Sequence, residues 1–549
     1  MTLRVGVSIH PKSQWRSLGR AIVDLDLLLA GSVHLERLPD EFDQWDRARQ
    51  RDCAARFLER CDVVVGTQRQ AVSRCRRELH PDGGGPRFVE HTLGDGGRAG
   101  QMTMRIRPYL RTTDVLVSSC HADRSAMLHL LPNADIRAIP CWIDRTVFTP
   151  ADPESVAGYR RAQRFAPDDR IVLYVGRILL EKNVHSLVRA FRCVLEAEPR
   201  ALLVLVGPFS AQADEFSETG VLVRDYRRVV KGTASALGVP PGRIRIMPFQ
   251  DQRSLPLLYG AADVTVSLSI YHDEDFGYAL VESMACGTPV VASAWGGHRD
   301  AIVDGVTGFL AGTSATAGGV KVDWWAAVDR IVGLLHDERL RRELGANGVG
   351  RAARTYDPGS VRERYLAVLR QAAAPAGPGE PLRTSEAAER LWSAAGGPSG
   401  LRYRFGRPSF EAYEDLVRHY TGPAPGAAPR GPLVLCSPVR LRDAALVVDD
   451  PLYPFVVPVP ADLLEAARAV LRVMRRRPVL LEAELREATP PAARQRLGPC
   501  LDLLERLGVL VRSQVLGTPE GRAAVPGVVT RPVLRYGRVD EAVDCIVPR

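Results

Sequence analysis

Two successive sets of short apolar runs, each run separated from the next by an amphipathic stretch, constrain this chain more than any other feature. The first set is LRVGVSI (3–9), DVVVGT (62–67), RFVEHT (87–92), DVLVSS (114–119) and IRAIP (136–140). After Asp144 and Pro150 the pattern restarts with RIVLYVGR (170–177), ALLVLVGP (201–208), RIRIMPF (243–249), DVTVSLS (263–269) and TPVVAS (288–293). Strands alternating with helices need crossover connections and therefore build parallel sheets. A run such as LLVLV has no polar alternation, so helices must cover both faces of its sheet, and ligands of such sheets bind beyond the carboxyl ends of the strands. The expectation is two α/β, Rossmann-like doubly wound domains, with the cleft between them as the site.

Length agrees, since 549 residues with 46% hydrophobic and 25% charged content make three or four globular units at about 150 residues each. No apolar run approaches the roughly 18 residues of a spanning helix, and the opening MTLRVGVSIHPKSQW lacks the pattern of a secretion signal. The chain is read as soluble and cytoplasmic, with no transmembrane segment. Its net charge of +9 is spread along the length and is carried by arginine apart from Lys12, Lys182, Lys231 and Lys321. Such a chain favours phosphorylated ligands, and nucleic acid is the lesser reading. Ten cysteines without a C-x-x-C pair argue for reduced structural thiols.

The boundaries follow from composition. Residues 1–150 form the first domain and 151–357 the second, followed by a helical stretch at 358–373. Residues 374–432 are linker and helical segment, because AAAPAGPGEP (372–381) and TGPAPGAAPRGP (421–432) are rich in Pro, Gly and Ala. Residues 433–549 form an α+β module: a short antiparallel sheet at 438–459, helical patterns at 461–475, 478–487 and 490–507, then the strand VLV. The connection at 209–235 reads as an exposed helical insertion.

The stretch from Glu274 to Val291 carries the chemistry. Glu274 lies before a helix and Glu282 inside it, eight positions on, so the two carboxylates reach different parts of one elongated ligand. Between them the first helical amides at Phe276, Gly277 and Tyr278 make an anion pocket, since unpaired N–H groups and the helix dipole both favour phosphate. A nucleoside diphosphate sugar has hydroxyls at both ends and phosphate in the middle. Arg177, after the strand RIVLYV, and Lys182, five residues on, place two cations at a strand's carboxyl end, where they neutralise a leaving diphosphate without a metal. Asp273 and Asp275 form an Asp-x-Asp pattern, read as solvated charges rather than metal ligands. Trp324 and Trp325 face different ways on a helix and are read as packing residues.

At these residues the sequence resembles the retaining glycosyltransferases of the GT-B fold, family 4, with their Gly-Arg-(four residues)-Lys and Glu-(seven residues)-Glu motifs. The resemblance spans about 160–372 and continues through LPLLYGAADVTVSLS (255–269) and SAWGGHRDAIVDGVTGFLAG (293–312). It implies that Arg177 and Lys182 bind the diphosphate, Glu274 the transferred sugar, Glu282 the ribose, and Phe276, Gly277 and Tyr278 the phosphates through backbone amides. It implies that residues 1–150 are the acceptor-side domain and 151–357 the donor domain, with 358–373 a helix returning to the first, and it implies a nucleotide-sugar co-substrate, no cofactor and no bound metal. In the first domain His91 resembles the family's histidine near the transferred sugar. Gly19 stands in the first strand-to-helix loop where the family has a Gly-Gly pair, and Cys141 and Trp142 stand where Asn-Gly is common.

The function implied is retaining sugar transfer to a natural product, a glycan or a peptide. The alternative is a non-catalytic scaffold that binds a peptide or nucleic acid through the carboxyl-terminal module. That module resembles a winged helix, which leaves three readings open: a structural or homodimerising appendage, capture of a ribosomally made peptide by strand addition, and DNA binding. Its 24 arginines against 20 acidic residues over 374–549 make a weak footprint for DNA.

Overall fold

The computed structural model describes residues 2–9, 25, 27–98, 100–209, 225–271, 274–375, 377–394, 407–422 and 431–513. Gly19 and Asp273 lie outside them, as does most of the expected insertion, from which the helix Tyr226–Ala236 is described.

The first set of apolar runs forms a six-stranded parallel sheet from β1 (Arg4–Ser8), β2 (His34–Arg37), β3 (Val63–Gly66), β4 (Arg87–His91), β5 (Val115–Ser118) and β6 (Asp135–Ala138), in the order β2-β1-β3-β4-β5-β6. The second set forms another from β7 (Arg170–Val175), β8 (Ala201–Val206), β9 (Ile244–Met247), β10 (Val264–Ser267), β11 (Val290–Ser293) and β12 (Gly308–Ala311), in the order β12-β11-β10-β7-β8-β9. Val63, Val64 and Val65 are all buried, as are Leu203, Val204 and Leu205, so consecutive residues face helices on opposite sides. Two strands escape the apolar-run criterion: β2, whose residues HLER sit half exposed at an edge, and β12, the opposite kind of edge, GFLA. The direction of winding reverses between β1 and β3 in one sheet and between β7 and β10 in the other, and such a reversal opens a crevice at the strands' carboxyl ends.

The chain leaves the first sheet through Ile139–Phe148 and returns in the helix Pro358–Ala373. Asp357 caps that helix by accepting from the amides of Gly359 and Ser360. Its buried Val361, Tyr365, Leu366 and Leu369 pack on Val63, Val65, Val89 and Val117 of the first sheet. The outgoing and returning segments lie side by side, with the Ile143 amide donating to the Tyr356 carbonyl at 3.1 Å.

The Pro/Gly-rich stretch 372–381 departs from its reading as a linker. Thr112 N donates to Glu380 O at 2.8 Å, Asn133 Nδ2 to Pro381 O at 3.1 Å, and Leu382 is buried. The segment also donates, from Glu380 N to Thr112 Oγ1 at 2.9 Å and from Arg383 N to Asn133 Oδ1 at 2.8 Å, so it docks along the first unit through both its carbonyls and the amides its prolines leave. The helices Glu386–Ala394 and Arg407–Tyr420 follow, and the second lies along the first-unit helix His121–Leu130.

Beyond β12 a hairpin, β13 (Thr313–Thr316) and β14 (Gly319–Val322), meets the carboxyl-terminal module. There β15 (Leu433–Leu435) pairs with both β19 (Val479–Leu480) and β20 (Leu510–Arg512), while β16 (Val439–Arg442), β17 (Ala445–Val448) and β18 (Phe455–Pro458) form an antiparallel meander. Helices Leu464–Arg476, Glu482–Ala488 and Leu497–Arg506 close a separate apolar cluster. Buried Lys321 of β14 reaches Asp450 Oδ2 and Ser437 Oγ, both at 3.3 Å, and Trp324 Nε1 donates to Leu435 O, so the module is joined to the second unit by polar bonds inside an apolar seam. Trp324 thus packs between units and is not an exposed platform. Among the described residues no helix is long and apolar enough to cross a membrane.

Candidate active site

The predicted site residues of the second unit gather at its switch point. β7 leads into Gly176 and Arg177, where Tyr174 Oη donates to Arg177 O at 2.7 Å. The turn Leu180–Lys182 follows, and Asn183, with φ +56°, starts the helix Val184–Ala197. Asn183 Nδ2 donates to Leu268 O at 3.1 Å, which ties that turn to the residues just after β10. Lys182 is thereby carried across the crevice. Its Nζ lies 2.5 Å from Glu274 Oε2 and 4.9 Å from the centre of the Tyr271 ring, and the Arg177 guanidinium is 5.8 Å from that ring.

Glu274 is buried between two basic side chains, with Oε1 3.8 Å from His298 Nε2. Burial by itself raises its pKa. The positive Lys182, the nearby His298 and hydrogen bonds from Lys182 and Ser269 overcome that and hold the carboxyl at about 2. Glu274 is therefore an ionised acceptor at any ordinary pH. His298 is pushed below its usual range chiefly by burial, and its Nδ1 sits 3.2 Å from Ser293 O.

The helix Tyr278–Ala285 begins directly after this carboxylate. Its N-cap is Gly277 at φ +79°, a left-handed residue with no side chain to occupy the first-turn amides. The Phe276 ring is buried edge-on to Tyr278 and Tyr356, at 4.7 and 5.4 Å between centroids, which fixes the backbone there. Behind it Gly297 N donates to Glu274 O at 2.6 Å. A Cβ on Gly296 would stand 2.3 Å from Glu274 O, and one on Gly297 2.3 Å from Asp275 C and O, so this loop admits only glycine. Glu282 lies about one turn into the helix, buried, and accepts from Tyr259 Oη at 3.1 Å.

His91 sits in the other unit, at the end of β4. Its Nε2 is 2.5 Å from Tyr365 Oη on the returning helix, and buried Nδ1 has no hydrogen-bond partner among the described residues. Burial lowers its pKa to about 4, so it is neutral at pH 7. Arg177, Lys182, Glu274, Phe276, Gly277 and Tyr278 thus come together around one crevice, Glu282 lines the same helix, and His91 stands apart with Tyr365. Three residues that shape the crevice, His298, Tyr271 and Asn183, were not singled out from sequence. His298 was legible in retrospect as the residue after the Gly-Gly pair.

Arg177 and Lys182 beside a helix amino end attract an anion, and an ionised buried carboxylate at the same opening accepts hydroxyl hydrogen bonds. Residues 157–351 match the family model "Glycosyl transferases group 1". The D-inositol 3-phosphate glycosyltransferase of Actinosynnema mirum is 36% identical over 256 residues, covering 46% of this chain and 55% of that protein. The enzyme of the same name from Kineococcus radiotolerans is 29% identical over 328 residues, 57% and 67% respectively. The chain spans about half the length of most of the curated relatives it matches. Anabaena HepE in complex with UDP-glucose superposes with a TM-score of 0.51 at 16% identity, over 67% of this chain and 100% of that one. A glycosyltransferase from Rickettsia africae gives 0.51 at 14% identity, over 68% and 100%. Residues 157–351 are therefore a glycosyl transferases group 1 domain, and the chain around them has the GT-B fold of two facing Rossmann-like units.

Proposed function

We propose that the protein moves a sugar from a nucleoside diphosphate sugar to an acceptor hydroxyl with retention of anomeric configuration. One observation carries the reading: the part-buried Lys182–Glu274 pair lies at the mouth of the helix Tyr278–Ala285 and at the switch point of the second sheet. In this reading Glu274 holds hydroxyls of the transferred sugar, and Arg177, Lys182 and the amides of Phe276, Gly277 and Tyr278 hold the diphosphate. Glu282 takes the ribose hydroxyls. His91, neutral, offers Nδ1 to a sugar hydroxyl from the opposite unit.

The acceptor oxygen attacks the anomeric carbon on the face from which the diphosphate departs, so the new glycosidic bond forms as the old C–O bond breaks. The acceptor proton passes to the departing phosphate oxygen. Charge developing on the diphosphate is met by groups already oriented for it, which is where such a site lowers its barrier. That charge is assigned to protein groups, and the reading calls for no metal or cofactor. The named relatives act on D-inositol 3-phosphate, which makes a phosphorylated polyol the first acceptor to try.

A panel of UDP-, GDP- and TDP-sugars, followed by binding and by release of nucleoside diphosphate with and without acceptor, tests the reading. Binding of one donor with acceptor-dependent turnover supports it. A chain that binds none of them while taking up a peptide or duplex is the non-catalytic scaffold instead.

A further inference from the structure

Tyr420, the last residue of the helix Arg407–Tyr420, comes from the segment after the returning helix, yet it is bonded to both Rossmann-like units. Its Oη donates to Asp123 Oδ1 at 2.8 Å on the first-unit helix His121–Leu130. Its carbonyl accepts from Gly296 N at 3.0 Å in the second unit, and its ring lies 5.4 Å from that of Trp295. Flanking residues repeat the arrangement. His419 Nδ1 is 2.8 Å from Ser125 Oγ while its carbonyl accepts from Arg299, and Gly422 N donates to Thr313 Oγ1 at 3.0 Å. Gly422 is in place because a Cβ there would stand 2.4 Å from Ala294 Cβ. The first-unit end is equally fixed, since buried Asp123 also accepts from Thr92 Oγ1 and Gly96 N, both at 2.8 Å.

The loop gripped by Tyr420 is the Gly296–Gly297 pair lying against the Glu274 backbone. The bonded path runs from Asp123 through Tyr420 to Gly296, and from Gly297 N to the carbonyl of the residue that holds the sugar. Arg177 and Glu282 have their own supports, Tyr174 and Tyr259, and stand off this path.

We propose that residues 407–422 are a strap spanning the cleft, and that Tyr420 is a positioning residue setting the Gly296–Gly297 loop and hence Glu274 for the sugar of the donor. The proposal rests on the donor reading above. A strap of this kind acts chiefly on the sugar half of the ligand, because its hydrogen-bonded path ends on Glu274, while Arg177 and Glu282 are held by other residues.

The test is calorimetric titration of the full chain, wild type, Tyr420→Phe and Tyr420→Ala, with UDP and with UDP-glucose, and with the GDP and TDP pairs in turn should the uridine pair not bind. Tyr420→Ala is expected to lower affinity for the nucleotide sugar about tenfold, the scale of losing one hydrogen bond to a charged group. Affinity for the nucleoside diphosphate stays within about twofold. Tyr420→Phe keeps the ring and the carbonyl, and gives a smaller drop of the same selectivity; it decides the matter if the alanine variant fails to fold. An unchanged ratio of the two affinities, or an equal loss of both, overturns the strap while leaving the donor reading standing. No binding of any pair to the wild type refutes the donor reading, and the strap's role with it.

Discussion

Replacing Lys182 by Ala removes the cation that keeps Glu274 charged inside the protein. A carboxyl held at about 2 in place of its ordinary 4.5 contributes on the order of 3 kcal/mol above pH 5. The folded value is depressed, so this contribution is complete above 4.5 and is lost as pH falls from there towards 2. Without Lys182 burial dominates, the Glu274 pKa climbs, and the buried charge stands unpaired, at a cost of about 3–5 kcal/mol. Urea unfolding at pH 7 should show this loss. Turnover should fall by at least about a hundredfold, as when a transition-state donor is removed. The double variant Lys182→Met, Glu274→Gln separates the two effects: it regains most of the stability and none of the turnover. Full activity in Lys182→Ala, or recovery of activity along with stability in the double variant, would refute the argument.

Gly297→Ala sets a methyl 2.3 Å from the Asp275 backbone, and turnover should drop about tenfold or more. Gly498→Ala, whose Cβ meets nothing within 4 Å inside the helix Leu497–Arg506, should leave turnover alone and raise stability by about 0.5–1 kcal/mol. Lys321→Met leaves Asp450 buried and charged, so unfolding followed by tryptophan fluorescence should lose about 3–5 kcal/mol, most of it restored by adding Asp450→Leu. Unchanged midpoints would show that this pair does not fasten the module. Burial raises Glu90 to about 7, so its neutral form is favoured in the fold and stability falls as pH rises from about 4.5 to 7. Glu90→Gln should flatten that slope by on the order of 3 kcal/mol between pH 5 and pH 8, and parallel slopes in the two proteins would exclude it.

The parallel sheets were legible because their inner strands are apolar on both faces, and a run such as LLVLV admits few other fates. β2 was not, since an edge strand written HLER carries no excess of apolar residues. That Lys182 and Glu274, ninety-two residues apart, belong to one site was implied by spacing and resemblance, but their direct pairing was not. Tyr420 was hidden for a different reason. Its role arises where separate elements pack, and no local periodicity encodes which carbonyl a distant tyrosine will meet. The proline-rich stretch at 372–381 docks even so, because the carbonyls of Glu380 and Pro381 and the amide of Glu380 still reach partners that composition does not reveal.

The outgoing and returning segments joined by Ile143 and Tyr356 make a two-ply connection. With residues 407–422 also bonded to both units, the halves are held against twisting as well as parting. The two plies also make the assembly tolerant of a nick, because a protease that cuts one ply leaves the halves tethered by the other.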